Sequence, residues 1–134
     1  MIRTILWADD AVVLIDQKAL PGKVRYLTLT DWRDVVAAIR DLTVRGAPAI
    51  GVAAAMGIAL GTLQLPETSA GGLRRSFDKL CGAFAKARPT ARNLFWAIER
   101  MQRRFAETLP SGIAAVKRAL VEEAVAIGEE DIEV

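Results

Sequence analysis

Residues 46–66 read GAPAIGVAAAMGIALGTLQLP, the longest run in the chain without a charge. Its strictly apolar part, residues 47–61, is shorter than the ~20 residues that span a bilayer. It is also rich in Ala and Gly, so it is only weakly hydrophobic. The run reads as a buried helix. Pro48 suits a first turn, where a missing N–H leaves no helical hydrogen bond unmade. Gly51, Ala53, Ala54, Ala55, Gly57 and Ala59 allow other backbone to approach closely, which predicts a helix at the centre of a bundle. Each glycine costs helix stability, and close packing must offset that cost. Leu65-Pro66 ends the run.

On the N-terminal side, Val35, Val36, Ile39 and Leu42 recur at helical spacing. Thr30 or Asp31 is placed to cap that helix by accepting hydrogen bonds from its free N–H groups. Before Thr30 the chain reads as strands. Residues 2–7 and 11–15 are short runs rich in β-branched residues, separated by the turn chemistry of Ala8-Asp9-Asp10. Pro21-Gly22 marks a second turn. Residues 24–29 then alternate, Val24, Tyr26 and Thr28 against Arg25, Leu27 and Leu29. Three short strands in hairpin order predict a small antiparallel sheet.

On the C-terminal side, residues 69–72 read as a loop, followed by three helices. One covers about residues 73–87, with Phe77, Leu80, Cys81 and Phe84 on one face. Arg88-Pro89-Thr90 breaks it, and Thr90 is placed to cap the next, over about residues 91–108. Leu94, Phe95, Ile98, Met101 and Phe105 are expected to face inward there. Pro110-Ser111-Gly112 is the next break. The last helix runs from about residue 113, with Val116, Leu120, Ala124 and Ile127 on one face. The expected fold class is α+β: a small N-terminal antiparallel β-sheet followed by a helical bundle. Residues 1–30 form the sheet and residues 31–134 the bundle, together one domain. The final residues carry no recognisable stop and read as a helix cut short.

A chain of 134 residues with 52% hydrophobic and 25% charged residues has the composition of one globular domain. The net charge is only +2, and the doublets Arg74-Arg75 and Arg103-Arg104 read as solvated helix faces. Nucleic-acid binding would need cations clustered on one face. One cysteine and no histidine exclude an internal disulfide and a Cys/His zinc site. Cys81 reads as a small buried apolar residue, since no imidazole exists to activate it. The N-terminus lacks a signal-peptide pattern, because Arg3 and Asp9-Asp10 interrupt any apolar run. A reducing cytoplasm is the simplest home.

Val44-Arg45-Gly46-Ala47-Pro48-Ala49-Ile50-Gly51 is the stretch with the most chemistry. Arg45 offers a planar cation suited to bidentate phosphate contact. Gly46 lets backbone come close to a ligand. Gly46 and Ala47 present N–H groups at a helix start, where the dipole favours an anion. The same residues also make an ordinary loop before a helix, and local chemistry leaves both readings open. Arg88 precedes another helix start. Taken alone, it reads as a surface charge at the end of the preceding helix. No carboxylate pair stands out as a catalytic dyad, and no Walker loop, GxGxxG fingerprint or GxSxG elbow is present.

Several segments in order carry a resemblance. They are Arg3-Thr4-Ile5 with Trp7, Leu14-Ile15-Asp16-Gln17, Leu20-Pro21, Ala38-Ile39-Arg40-Asp41, residues 44–55, Arg88-Pro89-Thr90-Ala91 and Asn93-Leu94. Together they resemble the bacterial methylthioribose-1-phosphate isomerases over nearly the whole chain. The resemblance implies an enzyme of methionine salvage that converts 5-methylthioribose 1-phosphate to 5-methylthioribulose 1-phosphate. It implies no metal or organic cofactor, a homodimer, and a small N-terminal domain followed by a Rossmann-like catalytic domain that this chain does not contain. The implied substrate-binding residues are Arg45, Gly46, Ala47 and Arg88, the same positions that local chemistry marks. The family's catalytic cysteine and aspartate belong to motifs of the second domain. No catalytic residue is therefore expected in this chain, Cys81 does not inherit the role, and the chain alone is expected to be inactive. Arg92 departs from the pattern, standing where an apolar residue is expected.

The rival readings within the superfamily are a ribose-1,5-bisphosphate isomerase and a non-catalytic regulatory subunit of a translation-initiation nucleotide-exchange factor. The run Arg45-Gly46-Ala47-Pro48-Ala49-Ile50-Gly51 and the Arg-Pro-Thr segment favour the methylthioribose enzyme. A free-standing helical ligand-binding or dimerisation module is a further rival. The partners expected are a small sugar phosphate and a second copy of the full-length protein, with neither nucleic acid nor membrane.

Overall fold

A computed structural model describes residues 5–15, 26–40, 47–88 and 91–132. Strands β1 (Ile5–Ala8) and β2 (Ala11–Ile15) pair antiparallel through a two-residue turn. Asp9 and Asp10 in that turn both take positive φ, 52° and 55°. A type I′ turn requires this, and its twist matches the flanking strands. Strand β3 (Tyr26–Leu29) pairs antiparallel with β2, giving the order β1-β2-β3. Register places Ile5 beside Leu14, Trp7 beside Val12, Leu14 beside Leu27 and Val12 beside Leu29. Those six side chains line the inner face: Ile5, Val12 and Leu14 are buried, and Trp7, Leu27 and Leu29 pack against the core. Thr28 points to solvent. The expected turn at Pro21-Gly22, and the outer ends of the first and third strands, lie outside the described residues.

The helices are α1 (Trp32–Arg40), α2 (Ala47–Leu63), α3 (Ala70–Ala85), α4 (Arg92–Thr108) and α5 (Ile113–Ile132), with a 3-10 turn at Leu109–Ser111 before the last. The α+β expectation holds: a three-stranded antiparallel sheet precedes a bundle. Asp31 starts α1, its Oδ1 accepting from the Arg33 N–H at 2.9 Å. Val35, Ala38 and Ile39 turn into the core, and Leu42 lies outside the described residues.

Helix α2 is the centre, as its small side chains predict. Residues 50–62 are all buried, and the helix packs on α1, α3, α4, α5 and the first two strands. A Cβ on Gly61 would fall 2.7 Å from Leu80, and one on Gly57 would fall 2.9 Å from Val35. Those contacts are the close approach that offsets the intrinsic helix cost of glycine. Thr62 is the single polar residue in this buried stretch, and its hydroxyl donates to the Ile58 carbonyl at 2.7 Å. At the C-terminal end of α2, Lys117 of α5 donates to the carbonyls of Leu63 and Leu65, at 3.3 and 2.9 Å. A cation there suits the negative end of the dipole.

Helix α3 starts earlier than expected. Ser69 is its N-cap, the hydroxyl accepting from the Gly72 N–H at 3.1 Å, so residues 70–72 are helix and not loop. Leu73, Phe77, Leu80, Cys81 and Phe84 then face the core. Phe77 stacks on Phe105 of α4 with ring centroids 4.0 Å apart. In α4 the inward stripe is Leu94, Ala97, Ile98, Met101 and Phe105. Phe95 is not in it: the residue is 37% exposed. One residue on from Leu94 is ~100° around the helix, which puts Phe95 beyond the edge of the buried stripe. The N-cap of α4 is Ala91, and Thr90 lies outside the described residues. In α5 the expected face is buried as read: Val116, Leu120, Ala124 and Ile127.

Candidate anion-binding site

The contacts expected for a substrate phosphate are Arg45, Gly46, Ala47 and Arg88. Arg45 and Gly46 lie outside the described residues. Ala47 is the first residue of α2, with Pro48 in the first turn as the sequence requires. Arg88 is half-buried just beyond α3, and its carbonyl accepts from the Ala91 N–H at 3.0 Å. That turn leads the chain directly into α4.

Tertiary packing brings the starts of α2 and α4 together. A Cβ built on Gly51 would stand 3.1 Å from the carbonyl oxygen of Asn93, the second residue of α4. Gly51 is four residues beyond Ala47, about 6 Å along the helix axis. Ala47 and Arg88 thus belong to neighbouring helix starts at one end of the bundle. Asn93 is the residue of this end that local sequence chemistry passes over, whereas Gly51 is among the small residues expected to let other backbone approach closely. The sequence signal for Asn93 is its membership of the segments that carry the family resemblance.

The electrostatics of this end suit an anion. A helix start presents unpaired N–H groups and a partial positive charge. In α1 that charge meets Asp31 and Asp34, and in α3 Ser69 satisfies a donor. Helix α2 has no acidic residue in its first turn. Helix α4 has none either, and Ala91 has no side-chain group with which to cap it. The first residue of α4 is Arg92, which is exposed and so tolerates its departure from an apolar pattern. Among the described residues, no carboxylate pairs with Arg88.

The remaining candidates sort as their residue types suggest. Cys81 is 2% exposed, and burial, with Asp78 nearby, pushes its thiol up to about 12. Such a thiol stays protonated at neutral pH and is a poor nucleophile. Among the described residues, no group of three His, Cys, Asp or Glu side chains is placed to hold a metal ion. Arg74, Arg75 and Arg103 are exposed on two different helices, while Arg104 approaches Glu107 and Glu123. Among the described residues, no helix is long and apolar enough to cross a membrane.

Comparison with known proteins gives consistent relatives. The family model described as the Initiation factor 2 subunit family matches residues 43–134. The methylthioribose-1-phosphate isomerase of Syntrophus aciditrophicus is 54% identical, over 96% of this chain and 40% of its own length. That of Geobacter metallireducens is 48% identical, over 97% of this chain and 38% of its own length. The chain therefore spans about two fifths of the length of the curated relatives it matches. Among solved structures, 5-methylthioribose 1-phosphate isomerase from Pyrococcus horikoshii OT3 matches with a TM-score of 0.94 at 34% identity, covering 99% of this chain and 37% of that one. The delta subunit of translation initiation factor eIF-2B from A. fulgidus matches with a TM-score of 0.83 at 35% identity, over 99% of this chain and 38% of that one.

Proposed function

The chain belongs to the Initiation factor 2 subunit family, and on that footing we propose that it is the N-terminal, phosphate-gripping part of an aldose–ketose isomerase. The reaction is conversion of 5-methylthioribose 1-phosphate to 5-methylthioribulose 1-phosphate, a step of methionine salvage. The observation that carries this reading is the 54% identity to a methylthioribose-1-phosphate isomerase across almost the whole chain. The starts of α2 and α4, neither with an acidic residue in its first turn, and Arg88 just before the second of them supply the physical chemistry.

In this account Arg45, Gly46, Ala47 and Arg88 hold the phosphate and orient the sugar ring, so the domain contributes by positioning. The proton or hydride shift between the first two carbons belongs to groups of a second, Rossmann-like domain in the complete polypeptide. The complete protein is a cytoplasmic homodimer that needs no metal or organic cofactor. It engages neither nucleic acid nor membrane, and residues 1–134 alone do not turn over substrate. The likeness to an initiation-factor subunit supports a second reading, a non-catalytic regulatory subunit.

Steady-state kinetics separate the two. The complete protein is expected to isomerise 5-methylthioribose 1-phosphate, and Arg88→Ala and Arg45→Ala are each expected to raise KM at least about tenfold. Absence of turnover in the wild-type protein favours the regulatory subunit. Turnover with unchanged KM in both variants removes the phosphate-gripping role.

A further inference from the structure

Gly51 marks the point where the two helix starts of the candidate site touch. The Asn93 carbonyl oxygen would lie 3.1 Å from a Cβ at this position, and the Asn93 Cβ 3.6 Å. The nearest group is backbone, so it cannot swing aside as a side-chain tip does. Room for a methyl group requires the start of α4 and α2 to part by a few tenths of an ångström. Arg88 would move with it, because the Ala91 N–H to Arg88 carbonyl hydrogen bond ties the arginine's turn to the first residues of α4. On the other side of the contact, Ala47 lies one helical turn from Gly51 on α2.

We infer that Gly51 is a positioning residue: its missing side chain sets the spacing between the Arg88 turn and the N-terminal turn of α2. This rests on the reading that Arg88 and Ala47 hold the substrate phosphate. Gly51 itself touches no substrate. It fixes how closely two donors borne by different helices can converge on one anion, and a ligand held from both sides is sensitive to that spacing.

Glycine-to-alanine variants of the complete protein test it, with 5-methylthioribose 1-phosphate as substrate. Gly51→Ala is expected to raise KM at least about fivefold while leaving kcat within about twofold, the signature of lost phosphate binding. Gly61→Ala serves as the structural control. It crowds Leu80 and Trp32 at the opposite end of α2, at 2.7 and 3.1 Å. It is expected to lower Tm at least as much as Gly51→Ala while keeping the wild-type KM. Arg88→Ala is run in parallel. If Arg88→Ala raises KM and Gly51→Ala does not, the positioning role is overturned and the phosphate reading stands. A KM raised equally by Gly51→Ala and Gly61→Ala also overturns it, since general loosening would then suffice. If Arg88→Ala leaves KM unchanged, the underlying reading fails and takes the positioning role with it.

Discussion

At the scale of single residues, the non-glycine positions with positive φ among the described residues are Asp9 and Asp10, both in the left-handed region. Aspartate tolerates that region better than most side chains, and glycine tolerates it without strain. Asp10→Gly is therefore expected to raise stability, by less than about 1 kcal/mol because glycine also loosens the unfolded chain. Thermal or urea unfolding checks it, and a lower midpoint would contradict the type I′ reading. The sequence showed turn chemistry at this place, but not the sign of φ, which depends on both strands pairing across only two residues. Cys81 was wholly legible: a lone cysteine without histidine among apolar neighbours reads as core, and it is core.

At the scale of elements, helical periodicity marks α1, α3, α4 and α5, each of which buries one stripe, while α2, buried all round, is marked by its uncharged run of small apolar residues. Errors arose where the stripe has an edge. Hydrophobicity alone places Phe95 inward, although geometry puts it beside the stripe and not in it. Residues 69–72 read as a loop from the sequence, yet the Ser69 hydroxyl caps a helix that runs through Gly71 and Gly72. Contacts between elements were not legible at all. Arg100 of α4 reaches Glu123 of α5 at 2.5 Å, and it also reaches Glu130 at 2.5 and 2.8 Å. Hydrogen bonding to Arg100 holds the Glu130 carboxyl below its ordinary value. A depressed carboxylate contributes stability above its unfolded pKa, and that contribution is lost as pH falls through the folded value. Wild type is thus expected to be more stable than Glu130→Gln above about pH 5, and the gap is expected to close as pH drops further. Glu130 is 54% exposed, so the gap is expected to stay under about 1 kcal/mol. Melting temperatures of both proteins against pH provide the check, and a gap that widens in acid would contradict the pair's assigned role.

At the scale of the whole molecule, the architecture follows from the uncharged run at residues 46–66. A helix that can be approached from all sides becomes the axis, and four helices and a sheet close around it. The sequence marks that axis and the cations near two helix starts. It does not show that those starts adjoin, since Gly51 and Asn93 meet only through the docking of α4 on α2. For the same reason Arg88 read as a surface charge from its neighbours alone. Its proposed role depends on the neighbouring helix.

The central claim is that this end of the bundle holds a sugar phosphate. The most direct test is an amide-resolved NMR titration of the chain with 5-methylthioribose 1-phosphate, with inorganic phosphate as control. The account predicts saturable shifts centred on Gly46, Ala47, Arg88 and the first turn of α4, stronger for the sugar phosphate and lost in Arg88→Ala. Shifts that are absent, scattered over the surface arginines, or unchanged in Arg88→Ala would contradict it.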